Sequence, residues 1–262
     1  MTTAQPMLSR SARTRVLGLA IGLLGALLAG CEWNQPTLEA PMAGLSSPYP
    51  VGPDVVWAVA PLANESGTSI VDELVLTDRL VEQIRQVNGL TALPVNRTLA
   101  GMRALGLPAI HTPDEAQQLA AALGADGIIV GSVTSWHPYN PPRLGLNLVL
   151  FARSGAMQRF DGSEQELLML RTAATDAGLD MRMSRDVPVA AAADQIDASN
   201  HATLLDIRDY AQGRYDDRTA LGWELYTQSM GRFTEYACFR MVRLLLEQEY
   251  ERLAVAEARA AE

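Results

Sequence analysis

Apolar residues along the chain follow two rhythms: short continuous or alternating runs, and longer stretches repeating every three or four positions. Val55-Val56-Trp57-Ala58-Val59-Ala60 is near-continuous, the pattern of a strand buried on both faces. Pro61 stops it, and Asn64-Glu65-Ser66-Gly67 supplies a turn. Ile70, Leu74, Val75, Thr77-Asp78, Val81, Ile84 and Arg85 then fall near the 3.6-residue period of a helix that Asn88-Gly89 closes. Leu90 to Val95 reads as a short strand, and Asn96 as the cap of a helix carrying Leu99, Met102 and Leu105, ended by Gly106. The next helix has the clearest local signature: Thr112 as cap, Pro113 as first helical residue, Glu115 completing a capping box, and Gly124 as its stop. Its buried face is Leu119, Ala122 and Leu123. Asp126 to Trp136, centred on Ile128-Ile129-Val130, is a second strand covered on both faces. His137-Pro138-Tyr139-Asn140-Pro141-Pro142 must leave the sheet, because proline cannot donate to a ladder. Leu144, Leu146, Leu148 and Leu150 alternate with Gly145, Asn147 and Val149, which predicts a strand paired antiparallel across that loop. The pattern over residues 54–153 predicts an α/β domain: a mixed sheet of about four strands covered by helices.

Beyond it, residues 154–195 lose periodicity as Gly, Asp, Ser and Met accumulate, predicting a poorly ordered segment with a helix at Glu164 to Thr175. Residues 196–262 read as a C-terminal helical extension, with Asn200 as the first cap. In the longest pattern, Arg218 to Ala260, Phe239, Val242, Leu246, Tyr250 and Leu253 step by three or four with Cys238, Met241 and Leu245 beside them. Arg243, Glu247, Glu249 and Arg252 make the opposite, polar face. So apolar a stripe must cover the sheet, pair with another helix or dock to a partner.

The N-terminal pattern belongs to no fold. Arg10, Arg13 and Arg15, with no acidic neighbour, precede the apolar run Val16 to Leu27, the layout of an export signal too short for the ~20 residues of a bilayer span. Leu28-Ala29-Gly30-Cys31 ends it and resembles the lipobox of bacterial lipoproteins. That resemblance implies removal of residues 1–30, a diacylglycerol thioether on Cys31, and acylation of the new terminus. Residues 31–53, with Pro36, Pro41, Pro48, Pro50 and Pro53, read as a tether. At about 3.1 Å per residue in polyproline II form it would span roughly 70 Å at most. Glu32 is not the Asp that commonly retains such proteins in the inner membrane, so the outer membrane, facing the periplasm, is expected; the inner membrane stays open.

Charge and composition narrow the function. After residue 30 the chain carries 18 basic and 30 acidic residues, which argues against nucleic acid and against a polybasic grip on anionic lipid. All 21 basic residues are arginine, so mechanisms needing a P-loop lysine, a Schiff base or a Ser-x-x-Lys dyad are excluded. With Cys31 lipidated, Cys238 has no disulfide partner, and its place in an apolar stripe reads as core rather than nucleophile.

Three stretches resemble a family. Val59 to Gly67, ending Asn-Glu-Ser-Gly, is similar to the opening of the curli-secretion lipoprotein (CsgG-like) and TolB amino-terminal domains. Pro94-Val95-Asn96-Arg97 resembles their strand-to-helix junction, and Leu123-Gly124-Ala125-Asp126-Gly127-Ile128-Ile129-Val130-Gly131-Ser132-Val133 their helix, Gly-Ala-Asp, strand, Gly-Ser passage. The order of elements agrees over residues 55–153, and the resemblance extends to envelope lipoproteins that activate penicillin-binding proteins. It implies the scaffold and an envelope role. The curli channel's paired membrane hairpins are not expected, because Leu144 to Leu150 shows no equal alternating neighbour.

No catalytic constellation emerges. His111, His137 and His201 lack metal spacing, and Leu107-Pro108 stands where a P-loop would place Lys-Ser. Glu164 and Glu166 diverge on a helix. Neither metal nor cofactor is expected. Candidate partner contacts are Trp136, His137 and Tyr139 on the Pro-rich loop, where aromatic area comes at low entropic cost. Asn64 and Ser66 at a strand end are a further pair, with a self-bonded Asx turn as the plainer reading. The expectation is a non-enzymatic, lipid-anchored periplasmic module that binds another envelope protein through a sheet edge, the aromatic loop or the C-terminal helix. The alternative is a homo-oligomeric subunit of an envelope export or assembly complex of the curli-secretion type; a hydrolase with unrecognised residues is the third reading.

Overall fold

The computed structural model describes residues 44–49, 55–153, 157, 187–216 and 219–261. Cys31, most of the tether, the helix expected at Glu164 to Thr175, and the carboxylates Glu164 and Glu166 lie outside them.

The sheet has six strands: β1 (Val55–Val59), β2 (Ala63–Asn64), β3 (Leu90–Ala92), β4 (Gly127–His137), β5 (Arg143–Ala152) and β6 (Ala190–Asp197). Their order is β3-β1-β4-β5-β6, with the two-residue β2 also pairing β4. β1 runs parallel to β3 and β4, whereas β4, β5 and β6 are successively antiparallel. The mixed α/β class is as the pattern predicts, with more strands than the expected four. β6 falls in the stretch expected to be poorly ordered. Ala190, Ala192 and Ile196 are buried while Ala191, Ala193 and Gln195 are exposed, so the alternation is real but written mostly in alanine, whose small side chain hides it.

Helix α1 (Glu73–Arg85) is capped by Asp72, whose carboxylate accepts from the Val75 N–H. Helix α2 (Val95–Leu105) starts one residue before Asn96, so the expected Asn96 cap is corrected: Pro94 is the cap residue and no side chain caps this end. Helix α3 (Pro113–Leu123) has the complete Thr112–Glu115 capping box and a left-handed Gly124 stop. Helix α4 (His201–Ala211) takes its cap from Asn200, as expected. A 3-10 turn (Gly222–Glu224) and the short α5 (Leu225–Gln228) lead into α6 (Met230–Ala260), 31 residues long. No helix among the described residues is long and apolar enough to cross a membrane.

Successive strand residues divide between two cores. Trp57, Val59, Ile129 and the leucines 144, 146, 148 and 150 face α1 and α6; Ala58 and Ile128 face α2 and α3 with Met102 and Leu119. β5 pairs antiparallel along its length with the 11-residue β4, as the loop between them predicts. Buried on both faces at its start, β4 lacks an alternating signature, and the β5 leucines pack beneath protein.

Two further readings of the polar faces are corrected. In α1 the buried residues are Leu76, Thr77, Leu80, Val81, Gln83 and Ile84, while Ile70, Leu74 and Val75 are 60%, 47% and 54% exposed. Ile70 precedes the helix, which begins only at Glu73, and Leu74 and Val75 lie in its first turn, outside the buried stripe of Leu76, Leu80, Gln83 and Ile84. On α6, Glu249 is fully buried despite its place on the polar face. Residues 44–49, expected as free tether, fold back beneath it. Tyr49 packs edge-on against Trp57, with centroids 6.4 Å apart, and donates from its hydroxyl to Glu249 Oε2 at 2.8 Å.

Candidate functional site

The C-terminal ends of the parallel strands carry both candidate contact regions. Ala63 and Asn64 pair with Ser132 and Val133 of β4, so the 64–67 turn lies alongside that strand's second half. Within the turn, Asn64 Oδ1 accepts from the Ser66 N–H at 3.1 Å and the Ser66 hydroxyl at 2.7 Å. Asn64 Nδ2 donates to the Thr68 carbonyl at 2.8 Å. Gly67 completes the turn at φ 74°, where other residues are strained. Glu65 accepts from the Ser132 hydroxyl at 2.7 Å, and its N–H donates to the Val133 carbonyl at 2.9 Å. Asn64 and Ser66 thus hold each other and the turn, and Glu65 rivets it to β4. Exposed Ile70, Leu74 and Val75 follow immediately; these were hidden from sequence reasoning because they fit the helical period.

The Pro-rich loop divides its aromatics by role. Trp136 is half-buried and packs against the main core, anchoring the strand end. His137 is exposed and meets Tyr139 edge-on with centroids 5.7 Å apart; Tyr139 is 71% exposed. A side chain as large as tyrosine, held by a ring partner on a proline-flanked loop, presents contact area with little rotamer freedom left to lose. Across the base of the loop Arg143 pairs with Asp197 at 3.6 Å. The Ser199 hydroxyl and N–H hold the Asp197 carboxyl below the usual carboxylate range, aided by the charges of Arg143 and His137. The candidate surface therefore combines one aromatic pair with one ion pair.

Two buried or half-buried charge networks were invisible in the sequence. Arg252 Nε and Nη2 donate to both oxygens of Glu249 at 2.7 and 2.8 Å, and Nη2 also to the Met157 carbonyl at 2.8 Å. Burial first, then the neighbouring Glu249, pushes the Tyr49 phenol far upward, so it stays a proton donor to that carboxylate. Arg240 bridges Asp194 at 2.6 Å and Asp206 at 2.8 Å, and Arg243 joins Asp206 at 3.0 Å, tying α6 to β6 and α4. A surface cleft of about 480 Å³ between α1 and the start of α6 gathers four arginines. Arg79 is spent on Glu82 and Glu235, Arg232 on Glu235, and Arg214 on Gln86 and the Tyr210 carbonyl. Cys238 is fully buried, and burial pushes its thiol up to about 12. Such a thiol packs as a core residue.

No protein-family model matches the chain, and no curated protein matches it significantly. Among solved structures it is similar to the LpoB C-terminal domain of Salmonella enterica, at 18% identity and TM-score 0.34 over 40% of this chain and 77% of that one. The lipoprotein GNA1162 of Neisseria meningitidis shows 12% identity and TM-score 0.34 over 58% and 89% of the two chains. The PelC dodecamer of Paraburkholderia phytofirmans shows 16% identity and TM-score 0.26 over 39% and 63%. None of these likenesses carries an activity over to the chain.

Proposed function

We propose that this chain is a lipid-anchored, non-enzymatic module on the periplasmic side of the bacterial outer membrane that binds another envelope protein. The observation that carries the reading is Leu28-Ala29-Gly30-Cys31 directly after an arginine-flanked apolar run. Acyl chains on Cys31 would contribute ~0.8 kcal/mol for each buried methylene. The binding role rests on Tyr139 and His137, held against each other at the end of β4 with Trp136 as root. The non-enzymatic character rests on where the reactive groups are spent: Cys238 in the core, Glu249 on Tyr49 and Arg252, Asp194 and Asp206 on arginines.

Cells making Cys31→Ser are expected to lose fatty-acid labelling of the protein and to accumulate it unprocessed or in the soluble fraction. Labelling that persists overturns the anchor. Density separation of membranes should place the wild type in the outer membrane. A photo-crosslinking residue at Tyr139 should capture a discrete envelope protein that the same residue at exposed Arg103 does not. Equal capture at both positions overturns the assignment of the loop.

A further inference from the structure

Sheet edges are where strands of other chains attach, and the two edges here differ. At the β3 side, Asn88 is bracketed by residues 45–47: its N–H donates to the Leu45 carbonyl at 3.0 Å and its carbonyl accepts from the Ser47 N–H at 2.8 Å. That strand is also only three residues long. β6, at the other side, has eight. Its even-numbered residues bond to β5, as the Ala198 N–H to Pro142 carbonyl bond that continues the ladder shows. The odd-numbered residues 191, 193, 195 and 197 therefore point their N–H and C=O groups away from the sheet.

At Ala191 those groups are already clamped. The Gln248 carboxamide accepts from the Ala191 N–H at 2.9 Å and donates to its carbonyl at 2.6 Å, doing what a neighbouring strand would do. Asp197 gives its carbonyl to the Asn200 N–H. Among the described residues nothing satisfies the outward N–H and C=O of Ala193 and Gln195, both exposed. This edge has neither proline, nor lysine, nor a bulge to block pairing.

We infer that the free edge of β6 at Ala193 and Gln195 accepts an extended segment of another protein as an added strand, the segment being basic and carrying bulky side chains at alternate positions. The inference deepens the protein-binding reading and rests on it. A second copy of the chain fits poorly. With Ile196 buried, copies pairing through residues 193–197 would oppose only Ala, Gln and Asp side chains, far from the ~1,000 Å² that a stable interface buries. Both copies would also carry 30 acidic against 18 basic residues after residue 30, which favours a cationic partner over a like one. Small exposed Ala191 and Ala193 leave room above the strand for large side chains from the incoming segment.

The test uses the mature lipoprotein in detergent and the synthetic peptide Arg-Val-Thr-Val-Arg-Val-Thr as probe, with amide exchange read residue by residue. Saturating peptide should slow exchange at Ala193 and Gln195 at least tenfold and leave Ala192 and Asp194, already bonded to β5, unchanged. Ala193→Pro removes an outward N–H without touching the β5 ladder, so it should weaken peptide binding at least tenfold at an unchanged thermal midpoint. Peptides N-methylated on alternate residues test the same point without altering the protein: one parity should abolish binding and the other retain it. The acid-for-arginine peptide should bind at least tenfold more weakly. Equal binding by both methylated forms overturns the proposal, as does protection of Ala193 and Gln195 before peptide is added. Unchanged exchange with peptide, alongside specific crosslinking from Tyr139, overturns the edge site and leaves the protein-binding reading standing.

Discussion

Glu249 shows how far a single residue's surroundings can depart from its local pattern. Its neighbours in sequence place it on the wet side of α6, yet Tyr49, two hundred residues away, closes over it. An isolated buried carboxylate would be prohibitive; the bidentate Arg252 and the Tyr49 hydroxyl make it tolerable, and removing one partner strands the other. Arg252→Ala is therefore expected to cost ~3–5 kcal/mol, and Tyr49→Phe ~1.5–3 kcal/mol, the range for a hydrogen bond to a charged group. Urea unfolding of the mature chain measures both, and unchanged midpoints would mean residues 44–49 add nothing to the fold. Asp197 provides a pH-dependent counterpart. Its folded pKa is lowered, first by the Ser199 hydroxyl, so its contribution is complete above the unfolded value of ~3.9. That contribution disappears as pH falls through the lower folded value. NMR titration of the Asp197 carboxyl should show the depressed midpoint, and Ser199→Ala should move it upward.

At the scale of elements, the C-terminal helix resolves the three-way choice its apolar stripe posed: α6 packs on α1, β5 and β6. Leu246 is buried with Val242, Leu245 and Leu253, so Leu246→Ala should cost ~2–5 kcal/mol, read as a lowered unfolding midpoint. Tyr250, on the same stripe, is half exposed and instead reaches the carbonyls of Ser46 and Ser47 at 3.2 Å. The β4–β5 hairpin explains Gly131 of the Gly-Ser passage. A methyl there would run into the Asn147 carbonyl of β5, so Gly131→Ala is expected to destabilise by ~1–3 kcal/mol. Elements whose signals are local were legible in the sequence: the Thr112–Glu115 box, the Asn200 cap, and the alternating leucines of β5. Those defined by a distant partner were not. β6 exists because β5 and α6 give alanines something to cover. Asn64 and Ser66 form the self-bonded turn that was their plainer reading. Of the site, the position of the aromatic loop was readable, whereas the separate roles of Trp136 and Tyr139 required the packing.

For the molecule as a whole, the same strap and edge decide how the domain keeps to itself. A heterologous assembly by sheet continuation would join β6 of one copy to β3 of the next, and such contacts repeat into rings or filaments. Residues 45–47 occupy the approach to β3 through the paired bonds to Asn88, and Tyr49 fastens that stretch to α6. The folded domain therefore starts by residue 44, and a chain cut at 54 loses its edge guard along with a partner of Glu249. A Cys31→Ser chain beginning at residue 31 should sediment as one monomeric species as concentration rises, its like charges adding to the guard. The chain beginning at residue 54 should shift to larger species over the same range, because an open β3 edge and an open β6 edge are complementary. If both stay monomeric, the strap does not guard the edge. If the longer chain forms a closed ring, residues 45–47 yield to a neighbouring copy, and the oligomeric export reading takes precedence over the monomeric binding module.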